Sequence, residues 1–196
     1  MTDILLDTSF THLRVALARD GKIIAFLDKS AFMRQSEEMI PTLSRLMEET
    51  KTECSDIDSV IVARGPGSYT GVRIAMTAAK VMALALNRPL YLVSSLAILR
   101  EGKKKTAIMM DARAKRSYFA VYEGTTALVE DCIKSNDEVL TYLKEHPDCL
   151  IGGEPAYLGL EATAKPDVFL NMLSAKDGEP ADTLKAAPAY LRGPLR

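Results

Sequence analysis

The chain opens with three short apolar runs, Ile4-Leu5-Leu6, Leu13 to Ala18 and Ile23 to Leu27, each of strand length and bounded by polar or turn residues. Between the second and third stands Arg19-Asp20-Gly21, and an Asp-Gly step is suited to closing an antiparallel hairpin. The period then changes. From Glu37 to Lys51 the apolar residues Met39, Ile40, Leu43, Leu46 and Met47 fall on one stripe of a helix. Pro41 either lies in the first turn, where its missing N–H is harmless, or kinks that helix. A strand over Ser59–Ala63 follows, then a glycine-rich loop and a helix running to about Leu86. Asn87-Arg88-Pro89 stops it, Leu90 to Val93 is another strand, and Ser94-Ser95 caps a short helix.

The second half begins after the charged run Arg100 to Lys105. Thr106–Met110, Ser117–Tyr122 and Ala127–Val129 read as strands, and Ser135 with Glu138 forms a capping box opening a helix to about Glu145. Cys149-Leu150-Ile151 before Gly152-Gly153 is a strand ending in a turn. The last third is weakly patterned. Each half thus starts with adjacent strands and carries an aspartate at a strand end, Asp7 in one and Asp111 in the other. This order predicts an α/β protein of two related lobes.

The loop Arg64-Gly65-Pro66-Gly67-Ser68-Tyr69-Thr70-Gly71 sits between strand and helix, as phosphate-binding loops do. Its glycines, at 65, 67 and 71, are one residue too widely spaced for a dinucleotide fingerprint, and no Lys-Ser/Thr follows Gly71 as a Walker loop requires. A structural turn is the first reading. The second is a phosphate contact through Gly65, Gly67, Ser68, Thr70 and Gly71, with Asp7 and Thr8 facing it. Asp7 and Asp111 could together hold magnesium in an interlobe cleft; the simpler reading is that each ends a strand and caps a turn.

Over Val72–Leu86 only Arg73, Thr77 and Lys80 are strongly polar, in one narrow stripe. A helix apolar nearly all round is buried on most sides, either in its own core or against a second subunit. Ala75, Ala79 and Ala83, four residues apart, would admit a close-packed helix, and Met39, Met47, Met76 and Met82 would supply adaptable apolar surface. An intersubunit bundle is therefore expected from Met39, Leu43, Leu46 and Met47 together with Arg73, Ala75, Met76, Ala79, Lys80, Met82 and Ala83.

Charge narrows the function classes. Twenty-five Lys and Arg against 26 Asp and Glu give a net charge of -1, so the chain lacks the basic excess of a protein that grips nucleic acid unaided. One local cluster stands out: Arg100, Lys103, Lys104, Lys105, Arg113, Lys115 and Arg116. It reads first as solvated surface and second as a tRNA contact made within a larger complex. The two histidines, His12 and His146, are far apart in sequence and have no ligand-type neighbours, so no zinc motif is present. Cys54, Cys132 and Cys149 form no CxxC pair. They read as reduced thiols of a cytoplasmic protein without signal peptide or membrane span.

Four segments in order, "ILLDTS", "GPGSYTGVRIA", "MMDARAKRSYFAVY" and "PAYLR", resemble the TsaB (YeaZ) family across Ile4 to Arg192. The resemblance implies the two-lobed actin/sugar-kinase/Hsp70 (ASKHA, ribonuclease H-like) fold, with residues 1–102 as the N-terminal, dimerising lobe. Residues 103–196 form a smaller second lobe, a return of its terminal segment to the first lobe being left open. It also implies a non-catalytic subunit that pairs with a TsaD paralogue, or with a second copy of itself, in making threonylcarbamoyladenosine on tRNA. The TsaE ATPase is then a further partner, with tRNA reached only through the complex. No cofactor is expected to bind tightly, and ATP or ADP belongs to the complex. In the catalytic paralogue two metal-binding histidines follow the glycine-loop helix; here Ser95 and Leu99 take their places. "RQSE" at Arg34–Glu37 replaces the "QHSE" frequent among such relatives. The competing reading is an ATP-binding phosphotransferase or ATPase of the same fold.

Overall fold

The computed structural model describes residues 1–31 and 33–191. The end of the "PAYLR" segment, Arg192, lies outside the described residues. In the first half, β1 (Thr2–Asp7), β2 (His12–Arg19) and β3 (Lys22–Ser30) form an antiparallel meander. The Asp-Gly step closes its second hairpin, β2 to β3, with both residues left-handed, Asp20 at φ 51° and Gly21 at φ 75°. Helix α1 (Gln35–Glu49) crosses over to β4 (Ile57–Ala63), which lies parallel to β1, and α2 (Tyr69–Leu86) crosses to β5 (Leu90–Val93), parallel to β4. The sheet order is β3-β2-β1-β4-β5. Pro41 lies inside α1, well past its first turn.

The second half repeats the scheme. β6 (Lys105–Asp111), β7 (Arg116–Glu123) and β8 (Thr126–Ser135) form a meander, α3 (Asn136–Glu145) crosses over, and β9 (Leu150–Gly153) pairs parallel with β6. Its order, β8-β7-β6-β9, matches the first four strands of the other sheet. Asp7 and Asp111 accordingly occupy equivalent places, the last residues of β1 and β6. The capping box forms as expected, with the Ser135 hydroxyl accepting from the Glu138 N–H at 3.2 Å and Glu138 accepting from the Ser135 N–H at 2.7 Å.

Alternation along the central strands distributes side chains between two cores. Ile4, Leu6, Val60 and Val62 face α1 and α2, whereas Leu5, Ile61 and Ala63 face the second sheet. The seam between the sheets is filled from both: Ile108 and Met110 of β6 meet Leu96 and Ile98, with Phe169 and Met172 of α4 (Val168–Leu173) closing it. The chain after α4 runs back to the first lobe, where the Ala181 N–H donates to the Leu90 carbonyl at 2.8 Å and the Ala189 N–H to that of Arg64 at 2.6 Å.

Helix α2 departs from the sequence reading. Its 18 residues have a mean hydropathy of 1.2, enough by length and composition for a membrane span, yet only one side is buried. Ala75, Met76, Ala79 and Ala83 lie between 0% and 3% exposed and pack on the chain's own sheet, as do Met39, Leu43 and Leu46 of α1. These seven are core, not an intersubunit surface. The alanine spacing does serve close approach, but to β4. Lys80 is also committed within the chain, its Nζ donating to the carbonyls of Leu184 at 3.0 Å and Ala186 at 2.7 Å. On the solvent side stand Tyr69, Arg73, Val81 and Leu84, with Ile40 of α1 beside them.

Because Ala79 is fully enclosed, Ala79→Arg should fail to fold, or lose at least about 3 kcal/mol, since it buries an unpaired charge in a packed core. Urea denaturation measures this. A folded variant of near-normal midpoint would contradict the packing described.

Candidate functional site

The glycine loop fits against the turn that follows β1. A Cβ on Gly71 would come within 2.1 Å of the Thr8 carbonyl oxygen, and one on Gly67 within 2.3 Å of the Ser9 carbonyl oxygen. Gly65 sits at φ +100°, with the Ala189 carbonyl 2.9 Å from where its Cβ would be. The glycines are thus required by the chain's own backbone. The loop's amides are also engaged: Ser68 N–H donates to the Ser9 carbonyl at 2.7 Å, Gly65 N–H to Ser95 Oγ at 3.0 Å, and Gly71 N–H to Ser68 Oγ at 3.3 Å as the cap of α2. The buried Thr8 hydroxyl donates to the Gly71 carbonyl at 2.6 Å and accepts from the Ala75 N–H at 3.1 Å.

Asp7 is sealed. Its residue is 0% exposed, and Arg14 Nη1 donates to one carboxylate oxygen at 2.8 Å, while the Ser9 N–H (2.8 Å) and hydroxyl (2.5 Å) fill the other. A carboxylate already neutralised in this way does not fit a magnesium–nucleotide, whose metal would have to displace a buried ion pair. Of the loop residues expected to touch phosphate, Asp7, Thr8, Gly65 and Gly71 are buried; Ser68 and Thr70 are exposed and Gly67 is half-buried. The first four are therefore structural. Arg14 was overlooked in the sequence, although its position was legible: it shares a face of β2 with Ala16 and Ala18, small residues at a packed seam.

Ser95 and Leu99 are both buried. Ser95 pins the loop from the other side, its N–H donating to the Gly65 carbonyl at 2.9 Å, and Leu99 lies in the interlobe core. Among the described residues no group of three or more His, Cys, Asp or Glu is placed to hold a metal ion.

Between the lobes remains a cleft of about 540 Å³ bordered by Phe10, Gly67, Ser68, Asp111, Tyr118 and Glu154. It is bridged by Thr11, whose hydroxyl donates to Glu154 at 2.7 Å. Asp111 faces it alone, accepting from the Arg113 N–H at 2.7 Å; Asp7 does not join it. A second cross-lobe contact lies deeper, where the Ser94 hydroxyl donates to Asp131 at 2.5 Å and the Tyr122 phenol donates to it at 3.1 Å. Burial pushes the Asp131 carboxyl up, against these two hydrogen bonds and the nearby Arg64 charge.

The basic cluster does not form one surface. Arg100 is buried, and Lys103–Lys105 and Arg113–Arg116 lie at opposite ends of β6, whose seven residues span about 20 Å. Lys104 pairs with Glu101 and Lys105 with Asp148. Arg113, Lys115 and Arg116 share the exposed β6–β7 turn beside the cleft, with Arg113 and Lys115 at positive φ.

An apolar groove of about 670 Å³ runs between α1 and α2, lined by Ile40, Tyr69, Ile74, Ala78, Val81 and Met82 among others. Its solvent-facing members Tyr69 and Val81 are 61% and 60% exposed. Of the residues expected at an intersubunit face, Met39, Arg73 and Met82 line this groove, while Leu43, Leu46, Ala75, Met76, Ala79 and Ala83 lie in the core beneath it.

Comparison with known proteins accords with this geometry. The family described as "TsaD: tRNA N6-adenosine threonylcarbamoyltransferase" matches residues 29–162. The tRNA threonylcarbamoyladenosine biosynthesis protein TsaB of Bacillus subtilis (strain 168) is 29% identical, over 98% of this chain and 94% of its own. That of Escherichia coli (strain K12) is also 29% identical, over 91% and 80%. The solved structure of YeaZ from Pseudomonas aeruginosa superposes with a TM-score of 0.78 at 25% identity, over 97% of this chain and 99% of that one. Fold and site define a two-lobed, actin-like α/β protein of the threonylcarbamoyltransferase family. Within it, the chain belongs to TsaB, also called YeaZ.

Two outcomes follow from this geometry. Gly71→Ala should cost about 1–3 kcal/mol in urea denaturation, because the added methyl must displace the Thr8 backbone rather than a flexible side chain. Asp131 sets a pH dependence. A carboxyl whose folded pKa lies above its unfolded value of 3.8 binds its proton more tightly in the native state. It therefore withdraws stability as pH rises from the unfolded value through the folded one. Asp131→Asn should flatten the stability profile in that window; an unchanged slope would assign the dependence to other groups.

Proposed function

We propose that this protein is the non-catalytic subunit of a cytoplasmic assembly that places threonylcarbamoyl on tRNA adenosine next to the anticodon. In this reading residues 1–102 carry the pairing surface, and residues 103–196 form a smaller lobe. The observation that carries the reading is the exposed apolar groove between α1 and α2, found together with a buried Asp7 that Arg14 locks away from the cleft. Such a surface is costly to leave in water and suits another helical pair. The names of the curated relatives supply the reaction.

The TsaD paralogue then contributes the transfer chemistry, the TsaE ATPase brings nucleotide to the complex, and a second copy of this chain occupies the groove when the paralogue is absent. Of the basic residues, Arg113, Lys115 and Arg116 are the ones available to a tRNA held by the complex, since they share one exposed turn. The phosphotransferase alternative loses ground to the sealed Asp7 and to loop amides already bonded within the chain.

The test is Val81→Asp. Val81 is exposed in the single chain, so the substitution should leave circular dichroism and the urea midpoint unchanged. Desolvating an unpaired carboxylate in the groove should weaken association by several kcal/mol, about a hundredfold or more in affinity. The TsaD paralogue from the same cell should no longer co-purify with it, and threonylcarbamoyl transfer by the reconstituted assembly should fall accordingly. Undiminished co-purification, or transfer to tRNA by this chain alone, would overturn the proposal.

A further inference from the structure

Arg100 belongs to a basic run in the sequence but turns inward in the fold, where it is 5% exposed. Its Nη1 donates to the Ala97 carbonyl at 2.7 Å and its Nη2 to the Ser174 hydroxyl at 2.9 Å, both neutral acceptors. Among the described residues it forms no ion pair. Burial holds its pKa below the ordinary arginine value, and the one acidic group opposing that is the phenol of Tyr122, itself pushed up by burial. A guanidinium taken out of water is ordinarily matched by a carboxylate, because neutral hydrogen bonds return only part of the lost hydration. Here no carboxylate among the described residues matches it.

These two bonds take one N–H on each Nη and leave the Nε–H and a second proton on each Nη. Arg100 Nε makes no hydrogen bond to a described residue. Arg100 borders a groove of about 640 Å³ together with Lys103, Thr125, Thr126, Leu170, Leu173 and Ser174, the acceptor of its Nη2. Lys103 is exposed and, among the described residues, also lacks an ion pair. The guanidinium is fixed in advance. Asn171 Nδ2 donates to the carbonyls of Ile98 (2.9 Å) and Arg100 (2.8 Å), and the Ser174 hydroxyl donates to the Asn171 carbonyl at 2.7 Å, leaving its lone pairs for Arg100.

We propose that this groove binds a compact anion, a carboxylate or phosphate monoester on a small apolar body, through the Arg100 guanidinium and the Lys103 ammonium. A guanidinium fork suits both head groups. Exposed Glu123 and Asp177 on the same walls repel an extended polyanion such as RNA and restrict the site to a small charge. Leu170, 55% exposed, gives the ligand's apolar part a surface. The site is separate from the α1/α2 groove and does not rest on the functional proposal.

Thermal unfolding of the full chain against inorganic phosphate, and separately against butyrate, tests it with ionic strength held by chloride. At least one anion should raise Tm saturably and displace the Arg100 Nε–H resonance in nitrogen–proton NMR spectra. A response to phosphate alone assigns the phosphate class, and a response to butyrate alone the carboxylate class. Arg100→Met should weaken that binding about tenfold or more, the loss of one charge-assisted pair. Lys103→Ala should weaken it several-fold, and Lys185→Ala, a charge outside the groove, should leave it unchanged. If Arg100→Met does not fold, Lys103→Ala and the Nε–H resonance decide. An equal Tm rise in wild type and Lys103→Ala, or an Nε–H resonance unmoved by both anions, would overturn the assignment.

Discussion

The fold turns on the contact between the β1–β2 turn and the start of α2. Strands β1 and β4 run parallel, so their C-terminal ends lie side by side and the two segments leaving them compete for one space. The conflict is resolved by removing side chains on one segment and adding a hydroxyl on the other. Gly67 and Gly71 let the loop close onto the Ser9 and Thr8 carbonyls, while the Thr8 hydroxyl bonds the Gly71 carbonyl and, one turn further on, the Ala75 N–H. This contact sets the height and direction of α2 over the sheet, and hence which of its faces remains in solvent. The Ser95 bonds to Gly65 hold the loop from the opposite side and tie it to the interlobe seam. A change at the loop would therefore be felt both at the α1/α2 groove and between the lobes.

The repeated four-strand pattern makes the difference between the two halves informative. Asp7 and Asp111 end equivalent strands, yet Asp7 is sealed by Arg14 and Ser9 while Asp111 faces the cleft with only its own turn as partner. Two equivalent carboxylates facing each other across a cleft are what metal-assisted phosphate chemistry in a two-lobed protein would use. One of the pair is withdrawn here, and the lobes are joined by Thr11–Glu154 and Ser94–Asp131. Those bridges are short and polar, whereas the seam behind them is apolar and continuous from Leu5 to Met172. The cleft is thus built on a joint that resists opening.

Much of this was legible in the sequence where a local rule sufficed. The Asp-Gly turn, the Ser135–Glu138 capping box and the early strands depend on residues a few positions apart, and each formed as expected. Readings that needed a neighbour distant in sequence fared differently. The glycine spacing is compatible with an anion loop; only the Thr8–Ser9 backbone reveals why those glycines are there. Periodicity correctly placed Ala75, Ala79 and Ala83 on one face but could not say whether that face meets β4 or a second chain. The basic run looked contiguous because residue number hides the length of β6, and Arg100 was counted with its exposed neighbours although its carbonyl is pinned inward by Asn171. Helix α4 was missed because six residues are too few for a periodic signal.

Burial links two features of the molecule. Chemistry in the cleft would need accessible charge, and the α1/α2 groove is accessible apolar surface; the glycine contact bears on both. Packing α2 tightly on β4 through alanines consumes the helix's small face, leaving Tyr69, Ile74, Val81 and Met82 as its outward one. The same packing buries Thr8 and brings Ser9 over Asp7, which completes the carboxylate's hydrogen bonds. Sealing the acid and presenting the groove are two consequences of a single close approach. A variant that loosened the approach would expose charge in the cleft and, at the same time, tilt the apolar face between α1 and α2.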